Sequence, residues 1–167
     1  MEFATYRTAL LISALFALAS DANAGVKISR LDCGHEPKAI SLASFSDTMS
    51  FQELKLPLTY SCYLIRNGDK YLLWDTGLQV GEGVEAPDRS IEDQLKLGGL
   101  TAREITYVGL SHYHYDHTGQ LSNFSGSTLL IGKDDWDLVQ SSASPPGVSP
   151  NGISRWRTPF SPWLSGT

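Results

Sequence analysis

Four residues of metal-ligand type, His112, His114, Asp116 and His117, fall within six positions of the sequence. They form a His-x-His-x-Asp-His pattern within Ser111-His112-Tyr113-His114-Tyr115-Asp116-His117. In extended chain, side chains two apart share a face, so His112 and His114 are expected to point the same way. Two imidazoles on one side suit a borderline-soft divalent ion such as zinc. Asp116 and His117 come one step later, where the chain turns, within reach of a second ion. Two metals about 3.5–4 Å apart are a hydrolytic device: they lower the pKa of a shared water and polarise a substrate carbonyl. Asp116 is therefore expected as a catalytic residue as well as a ligand. The alternative is a His-rich surface loop with no metal, but packing gives no reason for four ligand types in six positions after an apolar strand. Tyr113 and Tyr115 alternate with the ligands and are expected to face away from the metals.

The segment that must present this cluster is Ile105 to Leu110, a mostly apolar run that reads as a buried strand ending at the histidines. Residues 58 to 75 read as a β-hairpin. Leu58 to Arg66 is rich in aromatic and β-branched residues, Asn67-Gly68 is a strong hairpin-turn signal, and Lys70 to Trp74 is the return strand. That strand ends at Asp75-Thr76-Gly77. Asp75 at a strand end has two readings: a carboxylate that orients a metal-bound histidine or water, or a turn residue bonded to nearby backbone N–H groups. Val26 to Leu31 reads as a strand and Asp32 to Phe51 as mostly loop, with a turn near Ser46-Asp47. Ser90 is placed as the N-cap of a short helix with Ile91, Leu95 and Leu97 on its apolar face and Gly98-Gly99 as its stop. Ser127 to Ile131 reads as a strand and Asp134 to Gln140 as a helix. From Ser141 the chain becomes rich in Ser and Pro, and residues 141–167 are expected to be an irregular tail foreign to the fold. His35 lies far from the cluster and is expected to be solvent-exposed or hydrogen-bonded.

Residues 1–24 resemble a secretory leader: Arg7, an apolar run from Ala9 to Ala19, and Ala22-Asn23-Ala24 before Gly25. The run is too short to span a bilayer comfortably. Export to the periplasm or beyond the cell is expected, with a mature chain from Gly25 and no membrane partner after cleavage. In an exported protein Cys33 and Cys62 could pair. The favoured expectation is two small buried thiols, with Cys62 pointing into a sheet. The 167-residue chain is 41% hydrophobic and 19% charged, which suits one globular domain. Its net charge of -5 argues against a nucleic-acid partner, which would need a basic surface.

Leu-Leu-Trp-Asp75-Thr-Gly-Leu together with Thr-Tyr-Val-Gly-Leu-Ser-His112-Tyr-His114-Tyr-Asp116-His117-Thr-Gly resembles the metallo-β-lactamase superfamily. The hairpin from Ser61 to Gly77 resembles more particularly its N-acyl-homoserine lactonase branch, and the resemblance runs from about Lys27 to Gln140. It implies an α/β fold, the αβ/βα sandwich, with the metal site at one edge and the N-terminal half represented here. It implies that His112 and His114 bind one zinc and Asp116 and His117 the other, and it tips Asp75 toward a role beside the site. The implied reaction is hydrolytic opening of a small-molecule lactone by metal-activated water. The family supplies a further His, a bridging Asp and a last His downstream, whereas this sequence has no histidine after His117. A copy truncated after its first half is the corresponding expectation. Two other functions are carried forward: another hydrolase of the superfamily acting on a β-lactam or thioester, and a non-catalytic fragment that binds zinc weakly.

Overall fold

The computed structural model describes residues 25–141, 146–147 and 162–165. The leader-like segment 1–24 lies outside the described residues, as does most of the tail. Eight strands and three α-helices are described: β1 (Lys27–His35), β2 (Ile40–Ser41), β3 (Lys55–Leu56), β4 (Thr59–Asn67), β5 (Lys70–Trp74), α1 (Ile91–Leu97), β6 (Tyr107–Gly109), α2 (Tyr115–Thr118), β7 (Thr128–Gly132), α3 (Lys133–Ser141) and β8 (Pro162–Ser165). Six of the strands form one mixed sheet in the order β1-β4-β5-β6-β7-β8. β1, β4 and β5 run antiparallel, and β5 to β8 run parallel. The pattern is that of an α/β fold. None of the described helices is long and apolar enough to cross a membrane.

The hairpin forms as its turn chemistry dictates. Gly68 takes the left-handed conformation at φ 61°, and Asn67 pairs with Lys70 across the turn. Period-two alternation then sorts the sheet into two faces. Leu31, Cys33, Cys62, Leu73, Val108, Leu129 and Ile131 point to one face and form the core with Ile91 and Leu95 of α1, Leu121, Phe124, and Val139 of α3. Their neighbours along each strand point the other way. Ile28, Tyr63, Trp74 and Tyr107 are exposed there, so among the described residues this second face is apolar and largely open.

Helix α1 is capped as its sequence suggests: the Ser90 hydroxyl accepts from the Asp93 N–H, and Gly99 follows the helix at φ 75°. Leu97, however, is 73% exposed and does not share the face of Ile91 and Leu95. Positions four apart stack on a helix, whereas the sixth residue on has rotated away from them.

Three further expectations are corrected. First, β1 does not end at Leu31 but runs to His35 through a bulge between Asp32 and His35. Second, Cys33 and Cys62 are bonded to each other, with Cα atoms 5.8 Å apart. Leu31 sits opposite Cys62 and Cys33 is the next residue on the same face, which puts the two cysteines side by side. Closing a loop of this length, with the cysteines 29 apart, stabilises the fold by about 3–4 kcal/mol in the chain-entropy account. Third, the expected irregular tail contains β8, whose Trp163 pairs with Leu130 in the parallel part of the sheet.

Candidate metal centre

The site sits where β5 and β6 end side by side. The Asp75 N–H donates to the Gly109 carbonyl at 2.8 Å, which joins the two strand exits. Asp75 is buried and lies at φ 60°, a left-handed conformation in which a non-glycine residue is uncommon. That turn aims its carboxylate across at the chain leaving β6. Oδ1 accepts from the Ser111 N–H at 2.8 Å, and Oδ2 accepts from the Ser111 hydroxyl at 2.9 Å. Oδ2 also lies 2.9 Å from His117 Nδ1. Asp75 thus bonds a backbone N–H, and its carboxylate also lies beside a cluster histidine.

Ser111 is the hub that sequence reasoning missed. Its hydroxyl lies 2.9 Å from His117 Nδ1 and 3.2 Å from His112 Nδ1, besides its contact with Asp75. With Nδ1 of His117 facing a carboxylate, Nε2 is left as the donor atom for a metal. Nε2 lies 3.3 Å from Asp116 Oδ2. Ligand atoms of His112, Asp116 and His117 all fall within 4.8 Å of one another. That is three zinc-type donors, the number a catalytic zinc usually takes from protein, so the residues present fit the ion.

His114 is placed differently. Its ring meets the His112 ring edge-on with centroids 4.5 Å apart, but it is not part of the converging trio. The backbone at Gly147 lies against the His114 ring, and the Gly147 carbonyl accepts from the Tyr115 N–H at 3.0 Å. The Tyr113 ring packs against the core and edge-on against His114, with centroids 4.9 Å apart. Tyr115 is exposed, and so is His35.

Helix α2 is a single turn, and Gly119 makes it possible. A side chain at 119 would collide with the backbone of Gly77, Leu78 and Gln79. Without one, the Gly119 N–H donates to the Gly77 carbonyl at 2.7 Å, while the Thr76 N–H and hydroxyl both donate to the His117 carbonyl. Gln120, fully buried, ties the same loop to α1: its amide donates to the Leu78 carbonyl and accepts from the Ile91 N–H, each at 2.8 Å.

The electrostatics favour ligation by two of the three donors. Burial, with His117 and His114 beside it, lowers the His112 pKa and keeps the ring neutral. The hydrogen bond from His117 holds the Asp116 carboxyl below its ordinary value despite burial. His117 is the exception. Burial pulls its pKa down, but hydrogen bonds and charge from Asp116 and Asp75 outweigh that and raise it to about 9. In the metal-free chain His117 is therefore protonated at neutral pH, and a metal must displace that proton.

Residues 56–128 match the family model of the metallo-beta-lactamase superfamily. An N-acyl homoserine lactonase of Bacillus cereus is 28% identical over 104 residues, which are 52% of this chain and 41% of that protein. The chain thus spans less than half the length of the Bacillus relatives it matches. Among solved structures, a quorum-quenching N-acyl homoserine lactone lactonase superposes with a TM-score of 0.62 at 18% identity, over 82% of this chain and 55% of that one. AidC, a dizinc quorum-quenching lactonase, superposes with a TM-score of 0.55 at 19% identity, over 85% and 59%. The fold is that of the metallo-β-lactamases.

Proposed function

We propose that this chain, of the metallo-β-lactamase superfamily and its lactonase-like branch, serves a zinc-dependent hydrolase that opens the ring of N-acyl-homoserine lactones. The observation that carries the proposal is the convergence of His112, Asp116 and His117 beneath a buried carboxylate. Zinc held there would polarise the ester carbonyl and supply hydroxide at neutral pH. His112 is held neutral to donate a lone pair. His117 donates through Nε2 while Asp75 keeps the Nδ1 proton and fixes the ring plane. Asp116 would hold the ion through one carboxylate oxygen, which leaves the other placed to take a proton released at the site. This geometry favours one ion on the trio; the second ion implied by family resemblance would draw on His114, next to His112.

Export is part of the proposal. A disulfide persists in an oxidising compartment, and Cys33–Cys62 is formed here, which supports the leader-like reading of residues 1–24. The test is turnover by the zinc-loaded chain, followed by acid release, on N-acyl-homoserine lactones and on a β-lactam. Lactone opening that disappears in His117→Ala is expected. Bound zinc with no lactone turnover, or turnover of the β-lactam in preference, would overturn the proposal.

A further inference from the structure

The Cys33–Cys62 disulfide supplies no donor to the metal centre, yet it lies against the loop that positions a donor. Both cysteines are fully buried. The loop at residues 75–78 passes over Cys33 with no room to spare. A Cβ at Gly77 would lie 2.5 Å from Cys33 Cβ and 2.6 Å from Cys33 Sγ, and the Leu78 N–H donates to the Cys33 carbonyl at 3.2 Å. The other side of the same loop holds His117. Thr76 donates to the His117 carbonyl through N–H and hydroxyl at 2.8 and 3.0 Å, Gly77 accepts from the Gly119 N–H at 2.7 Å, and Asp75 meets His117 Nδ1 at 2.9 Å. One four-residue loop is thus clamped between a covalent crosslink and a metal ligand.

We propose that the Cys33–Cys62 disulfide is a positioning brace for His117, acting through residues 75–78, and that opening it loosens the metal centre. Two thiols cannot sit as close as the roughly 2.05 Å of a sulfur–sulfur bond. When the bond opens, the sulfurs must separate, and Gly77 has only backbone to give on the side facing Cys33. The displacement passes to Thr76 and Asp75, which between them hold the backbone and the ring of His117. The chemistry balances with a dithiol as reductant: one S–S bond breaks, two S–H bonds form, and the dithiol gives up two electrons and two protons as it closes to its own disulfide.

This inference rests on reading His117 as a metal ligand, so the test has one arm that uses no metal. In that arm, amide hydrogen exchange is compared between the oxidised metal-free chain and its Cys33→Ser/Cys62→Ser variant, which keeps two γ atoms that cannot bond. The reporters are the amides of Thr76 and Gly119; the controls are Leu73 and Val108 in the sheet. At least tenfold faster exchange at the reporters, with the controls changed less than threefold, is expected. In the second arm the same variant should bind zinc about tenfold more weakly than the wild type. If the variant does not fold, wild type refolded under a dithiol replaces it in the exchange arm. Unchanged reporters, or equal acceleration of reporters and controls, would overturn the brace. Local acceleration with unaltered zinc affinity would overturn its link to the metal. Local acceleration in a chain that binds no zinc in either form would leave the brace standing and remove the metal reading.

Discussion

Replacing Asp75 by Asn isolates the contribution of one carboxylate oxygen to metal binding. Asn has nearly the shape of Asp and also tolerates positive φ, so the turn at φ 60° survives. The amide oxygen can keep the bond from the Ser111 N–H, now made to Oδ1. The amide nitrogen then takes the place of Oδ2, which faces both the Ser111 hydroxyl and His117 Nδ1. A donor would meet the Nδ1–H donor. The ring can resolve this by moving its proton to Nε2, but that removes the lone pair the metal needs. A hydrogen bond to a charged group is worth about 1.5–3 kcal/mol, roughly a 10- to 150-fold change in affinity at about 1.4 kcal/mol per decade. The lower part of that range agrees with the roughly 10- to 100-fold cost of losing a carboxylate behind a metal-bound histidine. Zinc affinity is read by competition with a chromophoric chelator at pH 7.5, with circular dichroism to confirm the fold. A loss of tenfold or more is expected. An affinity within twofold of wild type, in a folded variant, would refute the assignment of Asp75 as the group that orients His117.

Other perturbations probe the groups around the centre. The His117 pKa is raised to about 9 in the folded metal-free chain against about 6.5 unfolded, so its stabilising contribution is complete below pH 6.5 and is lost as pH rises through 9. Thermal unfolding of the metal-free chain should show this decline, while the stabilisation added by zinc should grow across the same window; a zinc increment that shrinks from pH 6.5 to 9 would contradict the protonation assigned to His117. Gln120→Leu removes the partner of the Leu78 carbonyl and the Ile91 N–H in a fully buried setting, so denaturant unfolding should report a loss of about 2–5 kcal/mol. A loss below about 1 kcal/mol would mean that water reaches both groups.

The parts of the fold legible in the sequence are those set by neighbours along the chain. Asn67-Gly68 makes its turn with local dihedrals, and Ser90 caps α1 three residues ahead of its donor. Strand β6 lies within the short, mostly apolar run that ends at the histidines. The parts that were not legible depend on contacts distant in sequence. Nothing local marks the bulge that carries β1 on to His35, and the pairing of Cys33 with Cys62 depends on the register of β1 against β4, which is set by contacts distant in sequence. Strand β8 follows a Ser- and Pro-rich stretch and is specified by the free edge of β7. At the site, residue types and spacing were enough to single out the cluster. Its internal grouping was not, because alternation in extended chain ends at Tyr115. A helical turn there brings Asp116 and His117 back toward His112 and leaves His114 outside the trio. Ser111 is an ordinary serine in sequence, and its role exists only because Asp75, 36 residues earlier, turns to meet it.

The central claim is that His112, Asp116 and His117 hold a divalent metal. Equilibrium dialysis against zinc, on wild type and on His112→Ala, Asp116→Asn and His117→Ala, tests it most directly, with His35→Ala as a control outside the site. A bound ion in wild type and in the control, weakened at least tenfold in each of the three site variants, is the predicted result. Zinc held equally well by all five proteins, or lost only in the His35 variant, would contradict it.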